Sequence, residues 1–239
     1  MSIYDVRTMG ETIQGNPYVG RGIVIGKTAD GTRAAIAYFI MGRSENSRNR
    51  VFREEGDEVI IFPFDESKVE DPSLIIYSPI KTLGNATIVT NGDQTQTIYD
   101  FMKNGDSFED ALMTREFEPD GPNWTPRISG ICCNGDHGFR YKLSILKSAD
   151  ADGSACNRYT YVYSPLDGLG HFIHTYVTDG NPIPTFQGEP ERVSIPDDID
   201  EFFNDIWDNL DENNKISLYV RYINLYDGTV ENRMVNKNQ

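Results

Sequence analysis

The alternation of apolar and polar positions along the 239-residue chain changes period several times, and each change marks an element. Val19-Gly-Arg-Gly-Ile-Val-Ile-Gly-Lys27 combines β-branched residues with glycines, which favours an extended, closely approached strand. The turn Ala29-Asp30-Gly31-Thr32 leads into Ala34-Ala-Ile-Ala-Tyr-Phe-Ile-Met41, an uninterrupted apolar run of strand length, so the two predict a hairpin. Short apolar strands follow at Val59–Phe62 and Leu74–Tyr77, closed by Pro63 and by Ser78-Pro79, and another at Ala86–Thr90. The period then becomes helical. Ile98, Phe101 and Met102 share one side of a helix from Thr95 to Lys103, stopped by Asn104-Gly105, and Ser107-Phe-Glu-Asp110 caps a second short helix through Met113. After the Pro/Gly-rich link from Glu118 to Pro126, strands resume at Arg127–Cys132, Phe139–Leu146 and Arg158–Tyr163, where Tyr159, Tyr161 and Tyr163 alternate with Thr160 and Val162. The clearest helix runs from Pro196 to Leu210, with Ile199, Phe202, Phe203, Ile206, Trp207 and Leu210 on one face. That stripe is either core or the interface of a homo-oligomer. Ile216–Leu225 is the last predicted strand.

Strands in runs, then paired helices, then strands again exclude regular βαβ alternation and predict an α+β fold of two stacked antiparallel sheets flanked by helices. The length fits one large domain, residues 1–239, and 38% hydrophobic residues supply its core. Cys132, Cys133 and Cys156 are odd in number and lack zinc-like spacing, so reduced thiols in a cytoplasmic protein are expected. The N-terminus has no apolar signal segment, and no apolar run approaches the length of a membrane span.

Charge changes the picture in one place. The chain carries a net −15, which excludes a broad basic face for nucleic acid. Yet in the first 53 residues eight bases stand against four acids, a local +4 that leaves −19 for the rest, and seven of the fourteen arginines lie there. The densest stretch is Gly42-Arg43-Ser44-Glu45-Asn46-Ser47-Arg48-Asn49-Arg50. Guanidinium forks match phosphate and carboxylate oxygens, which makes this a candidate seat for a small anion. A solvated loop between strands accounts for the same cluster equally well.

Weaker motifs fall on physical grounds. Asp150-Ala-Asp152-Gly153 begins like a calcium loop, but Ala155 and Tyr161 occupy the positions that require Gly and a bidentate Glu, so a hairpin turn is expected. His171 and His174 would face opposite sides of a strand, and Gly20-x-Gly22 lacks the third glycine of a dinucleotide fingerprint.

Tyr18-Val-Gly-Arg21, the Arg43-Ser44 to Asn49-Arg50 segment, Asp71-Pro-Ser-Leu-Ile-Ile-Tyr77, Asn91-Gly-Asp-Gln-Thr95 and Thr125-Pro-Arg-Ile128 occur in that order and at set intervals. Together they resemble the archaeal-type IMP cyclohydrolase family, over about residues 18–133, with 134–239 poorly matched. The resemblance implies a four-layer αββα sandwich of the N-terminal-nucleophile-hydrolase type that uses no N-terminal nucleophile. It further implies closure of a purine ribotide, 5-formamidoimidazole-4-carboxamide ribotide, to IMP with loss of water, without metal or other cofactor. Tyr77 and Glu118 match residues the family places at its active site, although one extra residue, Trp124, separates Glu118 from Thr125-Pro126. With Arg21 they are the catalytic candidates. The expected phosphate seat is Arg21, Arg43 and Arg50 with the backbone N–H groups of Asn91 and Gly92 and the helix beginning at Thr95; Asn49, Thr125 and Arg127 complete the expected substrate-binding set. A non-catalytic purine-nucleotide-binding protein, or an amide hydrolase of the same wider fold, fits the same motifs.

Overall fold

The computed structural model describes all residues except Met1, Ile3, 69–75 and Gln239. Two antiparallel sheets lie face to face. One has six strands in the order β11 (Glu191–Ser194), β10 (Leu169–His174), β1 (Arg21–Lys27), β2 (Arg33–Met41), β12 (Lys215–Asn224) and β13 (Val230–Asn236). The other has seven in sequence order: β3 (Val51–Glu55), β4 (Glu58–Phe62), β5 (Ile80–Leu83), β6 (Ala86–Thr90), β7 (Arg127–Gly135), β8 (Gly138–Ser148) and β9 (Cys156–Tyr163).

The continuous apolar run of β2 is explained by burial on both faces. Ile36, Tyr38 and Ile40 point between the sheets, where they join Ile23 and Ile25 of β1 and Val59, Ile61, Val89, Ile128, Leu143 and Ile145 of the facing sheet. The intervening Ala35, Ala37, Phe39 and Met41 face outward, against α1 (Met9–Ile13) and α5 (Ile199–Asn209) through Met9, Ile13, Phe202 and Ile206. On the far side α3 (Gln94–Lys103) and α4 (Phe108–Met113) cover the seven-stranded sheet, with Ile98, Phe108 and Leu112 against Ile88, Ile131 and Leu146. The order of layers is therefore α, β, β, α, as expected. Among the described residues no helix is long and apolar enough to cross a membrane.

The β1–β2 hairpin, β6, α3, the Ser107 capping box and the strands β7, β8, β9 and β12 form as the periodicity predicts. α5 starts three residues later than expected, because the Asp198 carboxylate accepts from the Asp200 and Glu201 amides and fixes the N-terminus there. Phe203 and Trp207 pack only partly buried at its flank. The expected strand Leu74–Tyr77 lies mostly outside the described residues, and Ile76–Ser78 is not strand. Asp150 closes the β8–β9 turn by accepting from the Asp152 and Ser154 amides (both 3.0 Å). Tyr161 and Tyr163 pack against the core between the sheets, and all three cysteines are free.

Candidate active site

A cleft of about 750 Å³ opens at one end of the sandwich, where β2, β6 and β10 end and β1 and β7 begin. Its walls come from six separate parts of the chain: Tyr18 and Arg21, residues 43–50, Tyr77, the 91–93 turn, the 118–127 link, and the 175–183 segment after β10. Gly20 makes the first of these approaches possible. Its φ of 77° lies in the left-handed region, and a Cβ there would sit 2.1 Å from Thr175 Oγ1, so only glycine lets β1 enter so close to Tyr176. Tyr18 and Tyr176 then stack, ring centroids 5.8 Å apart.

Two cations line the cleft with no ion-pair partner among the described residues. Arg21 is half-buried, and the one hydrogen bond its guanidinium makes among the described residues is to the Met41 carbonyl. Arg50, also half-buried, has a buried Nε with no partner, and neither guanidinium lies within ion-pair distance of an acid among the described residues. Burial, and next the neighbouring Arg21, press the Arg50 pKa below its ordinary value. A guanidinium stays charged all the same, so the pair is a concentrated, incompletely satisfied positive charge. Arg43 differs. Its Nη1 donates to Asp179 and to the Gly180 carbonyl (2.9 Å), and its guanidinium lies over the Tyr18 ring.

Beside the arginines stands Tyr77, whose hydroxyl donates to the Asn91 carbonyl (2.7 Å) and lies 3.4 Å from the Tyr38 hydroxyl. Glu118 also lines the cleft, its Oε1 2.9 Å from Arg127 Nη1. Burial raises the Glu118 pKa, Arg127 opposes that, and Asp93 and Asp120 add to it. The carboxyl therefore titrates closer to neutrality than a free one, a property suited to moving protons.

Nine of the eleven expected residues line this cleft: Arg21, Arg43, Arg50, Tyr77, Asn91, Gly92, Glu118, Thr125 and Arg127. The other two stand behind it. Asn49 clamps Asp65 by accepting from its amide (2.7 Å) and donating to its carbonyl (2.8 Å), while the Thr95 hydroxyl is buried against Thr90 and the Gly92 carbonyl. The backbone seat expected at Asn91 and Gly92 is already taken: the Asn91 amide donates to the Ile128 carbonyl and the Gly92 amide to Thr90 Oγ1, each at 3.2 Å. Gly92 is instead required by proximity, since a Cβ would fall 2.5 Å from Arg127 Nη1. The Thr125 hydroxyl bonds Asp120 and Tyr176. Sequence reasoning missed Asp93, Asp120, Asn123, Tyr176 and Ile183, although Asp93 sits inside a quoted motif; Tyr176 and Ile183 come from a loop with no motif of its own.

An αββα sandwich with a cationic cleft of small-molecule size, holding a phenol and a carboxyl of raised pKa, defines a small-molecule enzyme rather than a macromolecular binding surface. The family model of the IMP cyclohydrolase-like protein matches residues 18–228, and the chain belongs to that family. The match extends well past the 18–133 stretch that carries the motifs, through α5 and β12. The IMP cyclohydrolase of Methanococcus aeolicus is 36% identical over 171 residues, covering 66% of this chain and 74% of that one. That of Methanopyrus kandleri is 30% identical over 163 residues, with shares of 66% and 75%, and that of Methanococcus maripaludis strain S2 36% over 119 residues, with shares of 48% and 57%.

Proposed function

We propose that this chain closes 5-formamidoimidazole-4-carboxamide ribotide to IMP, releasing water; the relatives it matches are named IMP cyclohydrolase. The observation that carries the reading is the pair Arg21 and Arg50, two cations with no carboxylate in ion-pair range among the described residues, in one cleft with Tyr77 and Glu118. A dianionic 5′-phosphate supplies the oxygens both guanidinium groups lack. Arg43 is the third arm, released from Asp179 when phosphate competes for it.

With the phosphate anchored there, the base faces Tyr77 and Glu118. The substrate already holds its carboxamide nitrogen beside the formyl carbon, so the protein's work is to fix one rotamer and move protons. The carboxamide nitrogen bonds to the formyl carbon as its proton passes to Glu118 and the formyl oxygen takes one from Tyr77. The carbon–oxygen bond then breaks; the hydroxyl leaves as water with the proton held by Glu118, and the formamide N–H proton returns to Tyr77. Each proton-transfer group contributes about 10²- to 10⁴-fold.

The layered fold supports grouping with the N-terminal-nucleophile type, used here without an N-terminal nucleophile. Residues 1–239 act as one unit in this reading, since β12 and β13 complete the sheet that β1 and β2 begin. The three free cysteines support a reducing, cytoplasmic setting. The test is ring closure of the formylated ribotide followed by absorbance without added metal: turnover well above the spontaneous rate is expected, and closure at the spontaneous rate overturns the reading.

A further inference from the structure

Arg127 Nη1 stands 2.7 Å from Asp93 Oδ1, 2.7 Å from Gln94 Oε1 and 2.9 Å from Glu118 Oε1. One guanidinium nitrogen carries two hydrogens, and three acceptors compete for them. The geometry gives both to Asp93 and Gln94; Glu118 touches the charge without accepting a hydrogen bond from it. Asp93 is committed to this arrangement. It occupies the N-cap of α3, where an aspartate ordinarily accepts from the first-turn amides, yet its side chain makes no capping bond. Its Oδ1 accepts from Arg115 as well as Arg127, so one carboxylate oxygen ties two arginines. Gly92 keeps the cluster closed, because a Cβ would crowd Arg127 Nη1, Gln94 Oε1 (2.6 Å) and Glu118 Oε1 (3.2 Å).

We infer that Asp93 is a positioning residue for proton transfer: by occupying Arg127, it keeps Glu118 from forming a full ion pair and so preserves its capacity to take and return a proton. The inference rests on the cyclohydrolase reading only for the reaction served. A carboxyl bound in a bidentate or hydrogen-bonded ion pair is held ionised well below neutrality and makes a poor proton carrier. The charged groups facing Glu118 are Arg127 at the start of β7, Asp93 at the α3 cap, Arg115 after α4 and Asp120 on its own link. Burial raises its pKa first, Arg127 pulls it down, and Asp93 and Asp120 push it up. Asp93 thus acts twice, through its own charge and through the hydrogen it withholds from Glu118.

The experiment follows the Glu118 carboxyl by carbon-13 NMR titration, assigned by its loss in Glu118→Gln, alongside the pH profile of ring closure. Asp93→Asn keeps the shape and removes the charge, and should move the Glu118 titration and the matching kinetic limb down by roughly one pH unit. Arg115→Gln removes the cation on the other side of Asp93 and should move both upward. kcat should fall about tenfold in Asp93→Asn with KM for the ribotide not raised. A Glu118 titration unmoved in both variants overturns the inference. Normal shifts in the NMR titration without turnover by the wild type would instead overturn the cyclohydrolase reading and leave the electrostatic relation between Asp93 and Glu118 standing. Should Asp93→Asn fail to fold, Arg115→Gln, at a partly exposed side chain, decides by its direction alone.

Discussion

Arg21 at the start of β1 and Arg50 just before β3 reach one cleft, and among the described residues the groups nearest each are phenols or the other cation rather than a carboxylate. Unpaired positive charge in a partly desolvated site is unfavourable to the free protein and becomes favourable only when an anion arrives. Arg50→Ala should therefore weaken ribotide binding by about 1.5 to 3 kcal/mol, the range for hydrogen bonds to charged groups, while leaving the thermal midpoint unchanged or higher. Calorimetric titration with IMP and a melting curve read the two effects separately.

Arg43 should behave differently, because Asp179 already neutralises it at the cleft rim. Arg43→Ala loses a phosphate contact but also relieves the competition with Asp179, so its loss in IMP affinity should be smaller than that of Arg50→Ala. Equal or larger losses at Arg43 would place the centre of the seat at the rim instead.

Much of this was legible from periodicity. The stripe of α5 and the two-faced run of β2 announce themselves because burial imposes a period. β10, β11 and β13 do not, since Leu-Gly-His, four residues, and a polar edge carry no clear alternation. α1 was legible and overlooked: Thr8 and Glu11 form a capping box in which each side chain accepts from the other's backbone amide. In the site, residue type pointed to Arg21 and Arg50, but the sequence could not tell that Arg127 is held among Asp93, Gln94 and Glu118, or that the Asn49 and Asn91 side chains are occupied in holding loops. Those facts depend on the distances between segments far apart in the chain.

The stability of α5 tests the packing. Phe202 is wholly buried against β12 and the outer core, so Phe202→Ala should cost about 3 to 5 kcal/mol. Trp207 is only partly buried, with the Lys215 ammonium 4.5 Å from its ring centroid, and Trp207→Ala should cost less. Chemical denaturation of the two variants gives the order directly.

Acid stability has a specific contributor in His171. Its Nδ1 bonds the Tyr141 hydroxyl (2.7 Å), its ring stacks on Tyr163 at 3.7 Å, and burial, with Arg192, lowers its pKa from 6.5 to about 4. Between those values the unfolded chain binds the proton and the folded chain does not, so this stabilisation is present above pH 6.5 and is lost as pH falls toward 4. His171→Gln should flatten that part of the stability–pH curve, measured by denaturant midpoints from pH 7 to 4.

In the proposed mechanism Tyr77 and Glu118 move the protons of ring closure on a ribotide that the arginines hold. The direct measurement is single-turnover ring closure and IMP binding, side by side, for the wild type, Tyr77→Phe and Glu118→Gln. Closure should be well above the spontaneous rate in the wild type and fall by roughly ten- to ten-thousand-fold in each variant, with IMP affinity nearly intact. A wild type that binds IMP yet closes no ring, or variants that lose binding and closure together, would contradict the account.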